Sequence, residues 1–125
     1  MKIILVMTLS ITGYLIGETY EVQQNVIKLK ATNACLNCNL TDAPLNGAKL
    51  RGARLNGANL SNAHLENADL TGANLFSANL TNAKLGNAIL KGTDLGHAYL
   101  TNASGANLDN AILHSTVMPD GTIHP

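Results

Sequence analysis

A leucine recurs at every fifth position through the middle of the chain, and this spacing restricts the fold more than any other feature of the sequence. A small residue, usually Ala, stands two positions before each leucine, as in Ala58-Asn59-Leu60. A period of five matches neither the 3.6-residue period of an α-helix nor the two-residue period of a β-strand. The chain must therefore make the same short extension and the same turn in each repeat. The leucines are Leu40, Leu45, Leu50, Leu55, Leu60, Leu65, Leu70, Leu75, Leu80, Leu85, Leu90, Leu95 and Leu100.

A longer period of twenty residues groups these repeats in fours. The pattern Leu-(Thr/Ser)-(Asn/Asp)-Ala begins at Leu40, Leu60, Leu80 and Leu100. We therefore expect residues twenty apart to stack at the β-strand spacing of about 4.8 Å. Gly or Asn commonly fills the position before the small residue, and both accept positive φ at low cost, as a tight turn requires. Examples are Gly47, Gly52, Gly57, Asn62, Asn67 and Gly72.

The tandem pattern Ala-(Asn/Asp)-Leu-x-x resembles the pentapeptide-repeat family over about two thirds of the chain, from Cys38 to Met118. The resemblance implies an all-β solenoid, a right-handed quadrilateral β-helix of about four coils, with the leucine and the small residue pointing inward. Because a single coil cannot shield its own leucines, the stack depends on neighbouring coils and needs a cap at each end.

The flanks of the repeats suggest such caps. Residues 19–30 place Val22, Val26 and Leu29 on one helical face, which predicts a short capping helix over the first coil with Thr19 as its N-cap. The segment "MPDGT", beginning at Met118, is typical of a turn that ends the ladder. The predicted units are a signal peptide (1–17), the capping helix and linker (18–34), the β-helix (35–118) and a tail (119–125).

The N-terminal segment differs in composition from the repeats. Lys2 precedes the apolar run Ile3–Ile16, which as a helix would span roughly 21 Å, short of the ~30 Å hydrocarbon core of a bilayer. One positive charge, a short apolar stretch and then polar sequence are typical of a secretory signal peptide. We therefore predict export. The alternatives are a buried N-terminal helix or an uncleaved anchor, which would be the only membrane contact expected.

The charge balance and the repeat lattice argue against several function classes. Eight basic and eight acidic residues give a formal net charge of +0, whereas a general nucleic-acid binder needs a basic face to neutralise phosphates. The outward positions are mostly Asn, Thr and Gly, and no Ser, His and acid converge. We expect no enzyme, no catalytic residue, no cofactor and no metal ligand. The histidines are expected on separate sides of the solenoid: His64, His97, His114 and His124.

The two cysteines, Cys35 and Cys38, enter the first coil at a large and a small inward position. A thioredoxin-like centre would need an exposed Cys at a helix N-terminus, and a zinc site would need four ligands. Export favours oxidation. We therefore predict a structural disulfide, with a reduced buried pair or a metal or redox function as alternatives.

Two surface columns stand out. Asn39, Asn59 and Asn79 should stack on one face, where their amides could bond one another. Ile89 and Ile112 take the outward position before a leucine, and Val117 lies on the neighbouring face. Exposed apolar groups often mark contacts with partners. These last three residues are therefore a possible partner patch.

The five-residue period slips after Leu100, because the next leucine is Leu108. Either two residues were lost or three were gained. Gaining three would stack Ile112 on Ile89. It would also place Leu108 beside Leu85 and align Thr116 with Thr93. This interpretation predicts an inserted, protruding loop at Ala103, Ser104 and Gly105.

The best functional interpretation is a non-catalytic, exported scaffold that binds an unknown protein partner or associates with itself. It is similar to short secreted pentapeptide-repeat proteins of photosynthetic bacteria, in which an N-terminal helix and a Cys pair precede the coils. That resemblance implies the periplasm or the thylakoid lumen. The alternative is a cytoplasmic DNA mimic that binds topoisomerase, although this chain is neutral and its four coils would span only roughly 20 Å.

Overall fold

The structure is a computed structural model that describes residues 17–125. Within these residues it contains a helix, α1 (Gly17–Thr32), and two short strands, β1 (Thr116–Val117) and β2 (Ile123–His124). A stack of short extended segments joined by turns lies between α1 and β1. None of the described helical residues forms a segment long and apolar enough to cross a membrane. The predicted signal peptide, residues 1–17, lies outside the described residues except for Gly17.

The extended segments pair in parallel at intervals of twenty residues, which confirms the predicted stacking. On the face that carries Leu40, Asn39 pairs with Asn59, and Asn59 pairs with Asn79. The Leu40 N–H donates to the Asn59 carbonyl over 2.7 Å, and equivalent bonds join the other coils. We number the faces by the first repeat leucine of each column: Leu40 (first), Leu45 (second), Leu50 (third) and Leu55 (fourth).

The interior consists of the repeat leucines and the small residues. The thirteen leucines from Leu40 to Leu100 are at most 3% exposed. Full burial of one leucine contributes roughly 1.5–3 kcal/mol, and the leucines of the inner coils are covered by the coils above and below them. Thr93 replaces Ala at one inward position, and its hydroxyl donates to the Leu70 carbonyl over 2.8 Å. The buried hydroxyl of Thr93 therefore has a hydrogen-bond partner.

The corners are turns that require positive φ, as the recurrent Gly and Asn residues predicted. After Leu60, Asn62 has a φ of 59°, and the Ala63 N–H donates back to the Leu60 carbonyl over 3.0 Å. Gly57 has a second constraint, because the side chain of Asn37 occupies the place that a Cβ would take.

The Asn column stacks as predicted, but its side-chain oxygens bond within their own turns. Asn59 Oδ1 accepts a hydrogen bond from the Ser61 N–H over 3.0 Å, and Asn79 Oδ1 accepts one from the Thr81 N–H over 3.0 Å. An amide that bonds the backbone two residues ahead stabilises a turn. The prediction that these amide oxygens bond along the column was wrong.

Helix α1 packs against the first coil through the predicted face. Leu29 is fully buried, Val22 is 7% exposed, and Val26 is partly buried against the same cluster. Asn25 Nδ2 also donates to the Asn39 carbonyl over 2.9 Å. The helix begins at Gly17, two residues before Thr19, so Thr19 lies inside the helix and is not its N-cap.

Cys35 and Cys38 form a disulfide, with their Cα atoms 5.4 Å apart. Cys35 is fully buried at the leucine position of the fourth face, where its neighbour Ala34 pairs with Arg54. Its Sγ lies 3.7 Å from the Asn25 carbonyl oxygen of α1. The predicted disulfide is confirmed, and it ties together the corner on which the helix rests.

The predicted inserted loop at Ala103, Ser104 and Gly105 was wrong. Ser104 pairs with Lys84 twenty residues earlier, and Ala103 is only 8% exposed at its inward position. The ladder therefore continues through these residues, and the next segments pair at an interval of eighteen, with Asp94 opposite Ile112 and Tyr99 opposite Val117. Two residues were lost from the pattern.

Two glycines permit this shortened corner. Gly105 occupies a leucine position with a φ of +72°, and a Cβ there would lie 2.8 Å from Gly86 Cα. Only a residue without a side chain can approach the backbone below so closely. The eighteen-residue register also places Thr116 above Ala98, not above Thr93, and the Thr116 hydroxyl donates to the Leu95 carbonyl over 2.8 Å.

The shortened corner interrupts the ladder on the third face. Among the described residues, no hydrogen bond joins Leu90 N–H to Asn107, although pairing resumes where Gly92 N–H donates to the Asn110 carbonyl over 2.8 Å. A groove of about 320 Å³ opens at this break, beside Ile89 and Lys91. Beyond it, β1 and β2 form an antiparallel hairpin in which Val117 pairs with Ile123. Part of the predicted tail, 119–125, is therefore strand.

Candidate partner-binding surface

The predicted patch of Ile89, Ile112 and Val117 is divided between three faces. Ile89 lies opposite Asp69 on the third face, whereas Ile112 lies opposite Asp94 on the fourth. Both isoleucines are exposed, Ile89 by 50% and Ile112 by 55%. The predicted stacking of Ile112 on Ile89 depended on a three-residue insertion. It is wrong because the segments after Leu100 pair at an interval of eighteen residues.

Three rings instead form a column at the corner between the fourth and first faces. The ring centroids of Phe76 and His97 lie 5.1 Å apart, and those of His97 and His114 lie 5.4 Å apart. Their interplanar angles of 69° and 87° are edge-to-face arrangements, which aromatic pairs favour. The eighteen-residue register brings His114 to this corner, so the prediction that His97 and His114 project from different sides was wrong.

A glycine makes room for the lowest ring. At Gly96, directly above Phe76 in the column, a Cβ would lie 3.0 Å from Phe76 Cδ2 and 3.2 Å from Cε2. The phenyl ring therefore occupies space that a side chain at position 96 would need. It remains 42% exposed.

Apolar side chains continue on both sides of this column. Tyr99, 53% exposed, pairs with Val117 on the first face, and Ile112 lies on the fourth face two residues before His114. We call this surface the aromatic corner; it comprises Phe76, His97, Tyr99, Ile112, His114 and Val117.

The aromatic corner contrasts with the outward columns beneath it. The column of Tyr99 is otherwise Asn39, Asn59 and Asn79, and the column of Ile112 contains Asn74 and Asp94. Tyrosine and phenylalanine are enriched in protein interfaces relative to the rest of the surface. The upper coils have thus replaced turn-stabilising polar residues with side chains typical of contact surfaces.

A pair of opposite charges, Asp69 and Arg51, lies away from this corner. On the third face, Thr71 donates to Asp69 Oδ1 through its hydroxyl and through its N–H, and these bonds lower the pKa of Asp69 below its ordinary value of 3.8. The Arg51 guanidinium, 3.5 Å from Asp69 Oδ2, lowers the pKa further. Within residues 17–125, no three His, Cys, Asp or Glu side chains are grouped so that they could hold a metal ion.

Sequence reasoning missed Phe76, Tyr99 and the contact between His97 and His114. Phe76 and Tyr99 were visible as departures from the polar pattern. The pairing of the histidines was not, because it depends on the eighteen-residue register after Gly105.

The family profile described as pentapeptide repeats matches residues 38–75 and 78–118 with eight copies, which is more than half of the chain. A pentapeptide repeat protein from the thylakoid lumen of Arabidopsis thaliana is 30% identical, with a TM-score of 0.55, over 69% of this chain and 59% of that one. A pentapeptide repeat protein from the cyanobacterium Nostoc also has 30% identity and a TM-score of 0.55, over 74% of this chain and 71% of its own.

HetL, a pentapeptide repeat protein involved in heterocyst differentiation regulation in Nostoc, is 34% identical over 73% of this chain and 51% of its own, with a TM-score of 0.42. No curated protein matches the chain. The chain spans 59% of the length of the Arabidopsis protein and 51% of that of HetL. The matching structures imply the right-handed quadrilateral β-helix expected from the repeats. With its repeats matched over more than half of its length, the chain belongs to the pentapeptide-repeat family.

Proposed function

We propose that this protein is an exported, non-catalytic scaffold that binds a protein partner through the aromatic corner. The observation that carries the proposal is the concentration of exposed rings at one end of an otherwise polar wall. Phe76 and Tyr99 are 42% and 53% exposed, and Ile112 beside them is 55% exposed. A few buried aromatic anchors commonly supply most of the free energy of binding at an interface.

The geometry of the corner favours a preformed site. The edge-to-face contacts of His97 with Phe76 and with His114 favour this arrangement of the three rings. The backbone beneath them is tied by bonds such as His97 N–H to the His114 carbonyl, at 2.8 Å. A rigid site loses little side-chain entropy when a partner binds.

The outward side chains support a structural role more than a chemical one. Asn74 Oδ1 and Asp94 Oδ1 accept hydrogen bonds from the N–H groups of their own turns, at 3.0 Å and 2.9 Å. The ring of His97 contacts those of Phe76 and His114. These groups are therefore occupied in stabilising the walls and the corner.

Export is supported by three independent features. The segment Ile3–Ile16 has the composition of a signal sequence, and the Cys35–Cys38 disulfide suits an oxidising compartment. A similar protein comes from a thylakoid lumen. We also propose that α1 caps the first coil, because Val22 and Leu29 of the helix are buried.

The alternative, a topoisomerase-binding mimic of DNA, would need a continuous run of carboxylates along the walls. The outward column of the third face instead contains a basic, an acidic and an apolar residue in succession: Lys49, Asp69 and Ile89. The electrostatic pattern therefore favours the scaffold.

The proposal is tested with a variant that restores the residues of the repeat. Phe76→Asn, Tyr99→Asn and Ile112→Asn give each column a residue type found in the coils below, namely that of Asn56, Asn79 and Asn74, so the fold should be retained. The control, Ile89→Asp, removes an equally exposed isoleucine from the third face. A photo-crosslinker at position 97 in the exported protein should capture a partner that the triple variant loses and the control keeps. Equal capture by both variants would refute the proposal.

A further inference from the structure

The charges of the chain are unevenly distributed along the solenoid. Residues 28–54 contain five basic residues and one acidic residue, whereas residues 55–125 contain two basic and five acidic residues. The neutral total therefore combines a basic N-terminal end with acidic later coils. All five cations of the N-terminal end are exposed. We call them the basic cluster; they are Lys28, Lys30, Lys49, Arg51 and Arg54.

Contacts at the C-terminal end of α1 bring most of this cluster together. Asn33 Nδ2 donates to the Arg51 carbonyl over 2.9 Å, and the Arg54 N–H donates to the Asn33 carbonyl over 2.9 Å. Lys30 lies in the last turn of the helix, three residues before Asn33. Lys49 lies two residues before Arg51, on the third face. The helix end and the corner between the third and fourth faces therefore form one basic surface.

Carboxylates offset only part of this charge. Asp69 Oδ2 lies 3.5 Å from the Arg51 guanidinium. Asp42 lies across the coil, at the corner between the first and second faces. Glu21 is directed to the first face, where its Oε2 accepts a hydrogen bond from Asn39 Nδ2 over 3.3 Å. The cluster therefore keeps a positive excess.

The same end of the molecule exposes apolar side chains. Ile27 lies about 200° around the helix from the fully buried Leu29, so it points away from the solenoid, and it is 59% exposed. Val26, Ile27 and Pro44 line an apolar groove of about 310 Å³ together with Gln23. An exposed apolar side chain with a lysine on each flank is typical of helices that lie in a membrane interface, where lysine stems reach the lipid headgroups.

We propose that this end of the protein binds the surface of an anionic lipid bilayer. The basic cluster would contact the lipid phosphates, and Ile27 would enter the boundary between the headgroups and the acyl chains. Anionic leaflets attract basic residues that lie near their surface. A nucleic acid or an acidic protein would complement the cations but would leave Ile27 and the apolar groove beside it in water. A bilayer complements both.

The proposal is independent of the partner-binding function. The aromatic corner lies on the side wall of the upper coils, so a protein bound to a membrane through its first coil would still present that corner. The proposed contact also differs from insertion of the apolar run Ile3–Ile16, because such a segment would enter neutral and anionic bilayers alike.

The test compares two variants of equal net charge. Lys30→Gln with Arg54→Gln removes two cations of the basic cluster, whereas the control, Lys84→Gln with Lys91→Gln, removes two exposed cations of later coils. The natural chain should co-sediment with vesicles of phosphatidylcholine and phosphatidylglycerol in equal parts, and not with phosphatidylcholine alone. Each cation at an anionic surface strengthens binding about fivefold. The cluster variant should therefore bind about 25-fold more weakly, and the control should bind as the natural chain does.

A second pair of variants tests the apolar contribution. Ile27→Gln should weaken binding to the anionic vesicles, whereas Ile89→Gln, at a similarly exposed isoleucine of the third face, should not. No binding, equal binding to neutral vesicles, or equal losses in the two charge variants would overturn the proposal. Binding to immobilised polyglutamate or to DNA as tight as to the vesicles, and unaffected by Ile27→Gln, would also overturn it, because the cluster would then serve an acidic macromolecule.

Discussion

Ile112 pairs with Asp94, eighteen residues earlier in the chain, and not with Ile89, although the isoleucines match in their position before a leucine. This register makes Ala103 and Ser104 part of the ladder. Deleting residues 103–105 should therefore remove the rung between Ser104 and Lys84 and should lower the melting temperature. An unchanged or higher melting temperature in circular dichroism would indicate that these residues form a dispensable loop.

Gly105 supplies a finer test of the same corner. Gly105→Ala should destabilise the protein by more than about 1 kcal/mol, because φ is +72° and the new Cβ would lie 2.8 Å from Gly86 Cα. The matched control is Gly52→Ala, which has a similar φ of +65° but no atom within 4 Å of the new Cβ. Urea unfolding should show the larger loss for Gly105→Ala. Equal losses of unfolding free energy would mean that the positive φ alone destabilises the Ala variants and that the contact with Gly86 Cα does not.

Much of the architecture could be predicted because it follows from rules that repeat locally. Each leucine, each small residue and each Asn or Gly turn obeys the same requirement, so one five-residue unit specifies the next. The disulfide could be predicted for the same reason, since Cys35 and Cys38 occupy successive inward positions, one large and one small, on either side of one corner.

The register after Leu100 could not be predicted in this way. A bulge and a shortened corner preserve the local pattern equally well, and the choice depends on the close approach of Gly105 to Gly86 in three dimensions. The aromatic corner depends on that choice, because His114 reaches His97 only in the eighteen-residue register.

The Cys35–Cys38 disulfide should stabilise the first coil. By the loop-entropy relation, closing so short a loop contributes about 2 kcal/mol. Mass spectrometry of alkylated, unreduced protein should detect no free thiol. In the variant with Cys35→Ala and Cys38→Ala, the free energy of unfolding measured in urea should fall by that amount. Two alkylated thiols in the purified protein would contradict the prediction.

Asp69 should contribute stability that depends on pH. Because Thr71 and then Arg51 lower its pKa in the folded state, its ionised form stabilises the fold above the ordinary value of 3.8. This contribution is lost as the pH falls through the lower, folded-state pKa. The difference in unfolding free energy between the natural chain and Asp69→Asn should thus be constant near neutral pH and shrink in acid. A difference that persists unchanged below pH 3 would show that the charge of Asp69 is not responsible.

The contact between Gly96 and Phe76 should make the cost of substituting Gly96 depend on the residue at position 76. In the natural chain, Gly96→Ala should destabilise, because its Cβ would lie 3.0 Å from the phenyl ring. In the Phe76→Ser background the phenyl contacts are gone and only Asp94 Oδ1, 3.2 Å from the new Cβ, remains close, so Gly96→Ala should destabilise less. A double-mutant cycle in urea measures this coupling. Additive effects would show that the ring does not depend on the glycine.

Leucines at the same repeat position should differ in their contribution according to the coil that carries them. Leu65 is fully buried between two complete coils, so Leu65→Ala should cost about 2–5 kcal/mol through lost burial and the cavity left behind. Leu108 is only partly buried in the last coil, and its replacement by Ala should cost a smaller amount. Equal losses of unfolding free energy for the two variants would show that Leu108 is covered as completely as Leu65.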